Sequence, residues 1–110
     1  MASFYKNAKV DLTSTDATTL YTSPAATTAV FRSLIVADDS GSTSTITVTV
    51  TDSASAVFVL YNVKATTAIG TVQLLTQPLV IQESEILKVT AANANRLHVI
   101  GSYLETTCLY

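Results

Sequence analysis

From Ser44 to Thr51 the chain reads Ser-Thr-Ile-Thr-Val-Thr-Val-Thr, apolar and hydroxyl residues alternating with period two. Successive side chains of a β-strand point to opposite faces. Ile46, Val48 and Val50 therefore belong to a core, and Thr45, Thr47, Thr49 and Thr51 to the opposite surface. Looser forms of the same rhythm recur along the chain. They predict strands over Phe4 to Leu12, Leu20 to Thr22, Ala29 to Ala37, Ser44 to Thr51, Ala56 to Lys64, Thr71 to Leu75, Leu79 to Gln82, Ile86 to Thr90 and Arg96 to Glu105.

The boundaries follow from turn chemistry. Pro24 lacks a backbone donor and holds Ser23 extended, so it closes a short edge strand or opens a loop. Asp38-Asp39-Ser40-Gly41-Ser42 separates two strands that read as a hairpin, Thr51 to Ser55 makes a further turn, and Gln77-Pro78 interrupts the strands around it. Ala56 to Lys64 is almost continuously apolar and rich in β-branched and aromatic residues, which predicts a central strand. In the last strand Leu97, Val99, Gly101 and Tyr103 share one face, with His98, Ile100 and Leu104 opposite; if the second face is not core, it is an interface. Eight or nine short strands at roughly ten-residue intervals predict an all-β fold of two packed antiparallel sheets or a closed barrel, and an antiparallel sandwich of jelly-roll type fits the strand count best.

Size and composition narrow what such a sandwich does. The 110 residues suit a single domain spanning 1–110, with an N-terminal arm at 1–5 and a C-terminal tail at 106–110. Charged residues make up only 13 % and apolar residues 48 %, while 19 Thr and 11 Ser supply much of the polar surface. Surfaces this poor in charge are weakly solvated unless hydroxyls or neighbouring subunits cover them. A net charge of −2 with six scattered basic residues argues against nucleic acid. The chain has no apolar run of membrane-spanning length and no signal-peptide core, so synthesis in the cytoplasm is expected. Cys108 is the one cysteine and can form no internal disulfide.

Candidate chemistry is sparse. His98 is the only imidazole, and nothing marks a nucleophile and an orienting acid beside it. Asp38 and Asp39 could offer oxygen ligands to Ca²⁺, but Asp16, Asp52, Glu83 and Glu85 also lie in turns, where acids cap backbone amides. The three glycines form no phosphate-binding loop. Glu83 and Glu85 lack the cleft and aromatic platforms of a glycosidase. No catalytic residue, cofactor or metal site is assigned, and no enzymatic activity is expected. The residues expected to meet partners are Phe4 and Tyr5 near one terminus, Tyr110 at the other, and His98, Ile100 and Leu104 on the second face of the last strand.

The order of elements also carries a resemblance. Lys9 to Asp16, Thr18 to Pro24, Thr28 to Ala37, the threonine-alternating strand and Asn95 to Glu105 together resemble small virion proteins of tailed bacteriophages, especially marine and cyanobacterial ones. The resemblance runs over nearly the whole chain, although Gln82-Glu83-Ser84-Glu85 stands where such proteins often carry an aliphatic-Gly-Asp turn. It implies a β-sandwich subunit of the virion, most simply a capsid decoration or cement protein in contact with the major capsid protein. It also implies a homo-oligomer, with a trimer favoured. A neck, tail or fibre-attachment module is the alternative, and a surface glycan-binding module a third.

Overall fold

A computed structural model describes residues 2–38, 45–65, 70–75, 77–95 and 97–107. All regular elements among them are strands: β1 (Ala2–Leu12), β2 (Thr18–Thr22), β3 (Thr27–Asp38), β4 (Thr45–Thr51), β5 (Val57–Ala65), β6 (Gly70–Gln73), β7 (Leu79–Ile81), β8 (Ile86–Ala91) and β9 (Leu97–Thr107). One antiparallel sheet has the order β1-β9-β3-β6, with β7 also on β3; the second has the order β2-β8-β4-β5. From β1 to β4 sequence neighbours alternate between the sheets, β4 and β5 share one sheet and β6 and β7 the other, and β8 and β9 insert between earlier strands, β9 between β1 and β3. This is the double Greek key of a jelly roll.

Most strands lie where alternation and turn chemistry place them. In β4, Ile46, Val48 and Val50 are buried, and the threonines between them are half-buried. Residues 2–5, the expected arm, run in register with β9, Ala2 facing Thr107, and Thr106 and Thr107 continue β9. Residues 108–110 lie outside the described residues.

Two expectations fail. The strand around Ala29 to Ala37 and the threonine strand are not a hairpin, because β3 pairs β9, β6 and β7 while β4 pairs β5 and β8. The intervening connection crosses between sheets, which places the apolar faces of β3 and β4 opposite each other across one core. Nor is Ala56 to Lys64 central: β5 ends the order of its sheet, and Val57, Phe58, Val59 and Leu60 are all exposed.

Bulges set which residues reach the core. In β3 the buried apolar positions are Ala29 and Phe31, then Leu34 and Val36; the register against β9 shifts between Phe31 and Ser33. One inserted residue switches the parity of the inward face. The Gln73 side chain braces this point, accepting from Leu34 N at 2.8 Å and donating to Ser33 Oγ at 2.9 Å. A second bulge in β2, between Thr19 and Tyr21, allows the adjacent Leu20 and Tyr21 both to be buried.

The inner faces meet around Phe31. Its ring stacks on Tyr103 with centroids 4.7 Å apart and meets Tyr21 edge-on at 5.4 Å. Gly101 makes this packing possible, since a Cβ there would lie 2.7 Å from the Phe31 ring.

Candidate functional site

The outer face of the β1-β9-β3 sheet is built from the residues that alternate with the core. Register aligns Tyr5 of β1, Leu104 of β9, Val30 of β3 and Val80 of β7 into one cross-strand row. Tyr5 is 80 % and Val80 49 % exposed, and Leu104 and Val30 are half-buried between them. A parallel row runs Lys9–Ile100–Ile35–Gln73, with Ile100 exposed, and a polar row of Asn7, Ser102 and Ser33 lies between the two. Next comes Asp11–His98–Ala37, where His98 Nδ1 lies 3.4 Å from Asp11 Oδ1 with both side chains well solvated. A shallow groove of about 240 Å³ follows this edge, lined by Lys9, Val10, Asp11, His98, Val99 and Ile100.

Four of the six residues expected at an interface, Tyr5, His98, Ile100 and Leu104, therefore share this face. Phe4 does not. It is paired with Glu105 on the inward-facing register, stays half exposed at the open end of the sandwich, and has Lys6 Nζ 5.8 Å from its ring centroid. Tyr110 lies outside the described residues.

Among the acids, Asp52 caps a turn, its Oδ1 accepting from Ala54 N and Ala56 N at 2.9 Å each. Glu85 Oε1 accepts from Gln82 N at 2.7 Å, and the Gln82–Glu85 turn has Ser84 at φ 65°. Asp38 is not in a solvated turn: it ends β3 buried, opposite Leu97, while Asp39 lies outside the described residues. No group of three or more potential metal ligands occurs among the described residues.

The polar centre that sequence reasoning missed is Glu105. It continues the inward parity of Leu97, Val99, Gly101 and Tyr103 and is buried. Lys6 Nζ donates to its Oε1 at 2.9 Å, and the Tyr21 hydroxyl donates to its Oε2 at 2.7 Å. The Lys6 ammonium first, and the Tyr21 hydroxyl second, hold the Glu105 carboxyl below the usual carboxylate range. Burial, then the bond to Glu105, pushes the Tyr21 phenol up. A carboxylate satisfied on both oxygens ties β1, β2 and β9 together across the two sheets. The legible signal was a single charge at the end of an otherwise apolar face.

Taken together, these features define a jelly-roll sandwich whose buried Glu105 is closed off on one side by Tyr21 and reached from solvent by Lys6, with an unfilled apolar surface outside. No protein-family model matches the sequence, and the comparison with curated proteins gives no match. Among solved structures, the chain is similar in fold to one from the Bacillus endospore appendages, which form a family of disulfide-linked pili. The TM-score is 0.52 at 12 % identity, over 97 % of this chain and 89 % of that one. A likeness at this identity concerns the fold alone.

Proposed function

We propose that this protein is a structural subunit that works by docking onto other proteins of a larger assembly, specifically a virion protein that decorates or cements a phage capsid. The observation that carries the reading is the Tyr5–Leu104–Val30–Val80 row: apolar side chains from four strands, aligned on the solvent side of a sheet whose other side already fills the core. Rows of this kind release free energy only when another surface covers them. Sparse charge keeps the desolvation cost of such contact low. Seated across neighbouring major-capsid subunits, the face would link them by buried area, with Lys9 and Asp11 at the rim fixing orientation.

The resemblance to phage virion proteins supplies the particle, and the geometry supplies the means of attachment. A neck, tail or fibre-attachment module is the second reading, favoured by one observation: a chain of the same fold belongs to pili, assemblies of repeated subunits. Copy number and position in a reconstruction of the virion separate the two. Hundreds of copies on the shell are expected; six to a few dozen at the neck or tail support the second reading, and absence from the particle overturns both. Binding of host glycans by the purified chain, lost on substituting Tyr5, would instead support the glycan-binding alternative.

A further inference from the structure

The two sheets present four edges, and three of them carry features that discourage strand addition. β1 has Lys6, Lys9 and Asp11 along its length. β2 is five residues long, bulged at Leu20 and followed closely by Pro24. The edge beyond β3 is split into β6 and β7, four and three residues long, with Pro78 in the interruption. Charges, bulges, prolines and short strands are the devices by which sheets keep their edges from pairing. β5 carries Lys64 and two register irregularities in its second half, but its first half has none of these features.

Its run Val57-Phe58-Val59-Leu60 has no charge and no proline, and stays in regular register with β4 from Val57 to Val59, with the first irregularity following at Leu60. All four residues are exposed, at 60, 56, 55 and 37 %. Among the described residues β5 pairs only with β4, so the outward backbone groups of this run have no ladder. The composition is that of a strand flanked on both sides, and the position is that of a strand flanked on one.

We propose that β5 is a self-association edge: two copies pair through it antiparallel about a two-fold axis, joining their second sheets into one continuous sheet in which β5 becomes central. The second copy is the occupant these residues favour. The contact is made by the first residues of its β5, Val57 to Val59, which bring neither charge, proline nor bulge, while Lys64 and both register irregularities of the strand lie beyond them, so nothing charged is desolvated within this run on either side. Parity constrains the register. Directly opposite residues of antiparallel strands share a face. Phe58 shares a face with Val50, whereas Val57 and Val59 align with Thr51 and Thr49. Parity allows a two-fold axis at any residue of the run; the register proposed is centred on Phe58, the middle of Val57 to Val59, and sets Phe58 across from Phe58 of the second copy and Val57 across from Val59. At the observed exposures the four side chains present on the order of 350 Å² per copy, within the range of functional patches on monomers. A pair covers on the order of 700 Å² before backbone is counted, which sets a reversible dimer rather than an obligate one.

This goes beyond the docking face of the other sheet and stands whether or not the assembly is a capsid. Sedimentation velocity of the full chain across the micromolar range tests it. The wild type is expected to pass from monomer to dimer. Phe58→Lys, which sets two ammonium groups face to face, is expected to weaken the dimer at least about tenfold, and an equimolar mixture with Phe58→Glu to restore a heterodimer. Phe58→Cys in a Cys108→Ser background is expected to form a disulfide dimer on oxidation, because opposed Cα atoms roughly 4.5–5.5 Å apart lie within bonding range. A wild type that stays monomeric, or a trimer indifferent to Phe58→Lys, overturns the proposal. Circular dichroism confirms that each variant is folded. Shell binding is scored separately: a monomeric Phe58→Lys chain that still binds shells separates this edge from the docking face, and a dimer that binds none sinks the capsid reading alone.

Discussion

Strands β5 and β9 both carry apolar residues on their two faces, yet they occupy opposite situations. β9 is flanked by β1 and β3, its inward residues are buried, and its one inward charge, Glu105, is matched by Lys6 and Tyr21. Among the described residues β5 is flanked by β4 alone, and four of its apolar residues face water. Apolar content therefore reports that a strand is to be covered, not by what. For β9 the cover is the opposing sheet of the same molecule; for β5 the described residues supply none, and the proposed cover is a second copy.

Phe31 and Phe58 give the largest test of that contrast, because one residue type occupies both situations. Phe31→Ala empties a fully buried site between Tyr21 and Tyr103 and is expected to cost about 3–5 kcal/mol. Phe58→Ala on the monomer is expected to change stability by no more than ~1 kcal/mol. Urea denaturation of both variants at low protein concentration measures the difference, and similar costs would erase the distinction between the strands.

Next in size is the polar centre behind β9. Glu105→Gln removes the ionic acceptor of Lys6 and weakens that of Tyr21, with an expected loss of about 1–3 kcal/mol near neutral pH. The sign of the pH dependence follows from the lowered carboxyl of the folded state. Its stabilisation is complete above the unfolded carboxyl value of about 4.3 and is lost as pH falls through the lower folded value. The wild type should therefore lose stability over that acidic window more steeply than Glu105→Gln, as thermal melts in a pH series would record. Equal slopes would mean that Glu105 is not held ionised by its partners.

The turn leading into β5 carries the smallest effect. Asp52 accepts from two backbone amides, and Ser55 there adopts φ 67°. Asp52→Ala is expected to cost about 0.5–1.5 kcal/mol, with faster hydrogen exchange confined to the β4–β5 hairpin. Exchange that also rises in β9 would show that the two regions are not separate.

Period-two alternation and turn residues were enough to place all nine strands within a few residues and to name the inward face of β9. What they left out depends on partners distant in sequence. Pairing between sheets, which separates β3 from β4, follows from how twisted sheets stack and not from any local signal. The bulges at Arg32 and Leu20 change face parity with no glycine or proline to mark them. Glu105 was visible as a charge out of pattern, but its partners lie 84 and 99 residues away. His98, Ile100 and Leu104 could be grouped because parity alone sorts a strand's two faces; Phe4 and Tyr5 were named together for their place near the terminus, and the register puts them on opposite faces.

The most direct measurement of the central claim is co-sedimentation of the purified chain with empty shells of the phage to which the proposed function assigns it, using wild type and a variant carrying Tyr5→Lys with Val80→Lys. The account expects wild type to pellet at a saturating, fixed stoichiometry and the outer-face variant, still folded, to remain in the supernatant. A wild-type chain that stays behind as a solitary monomer while the shells sediment would contradict it.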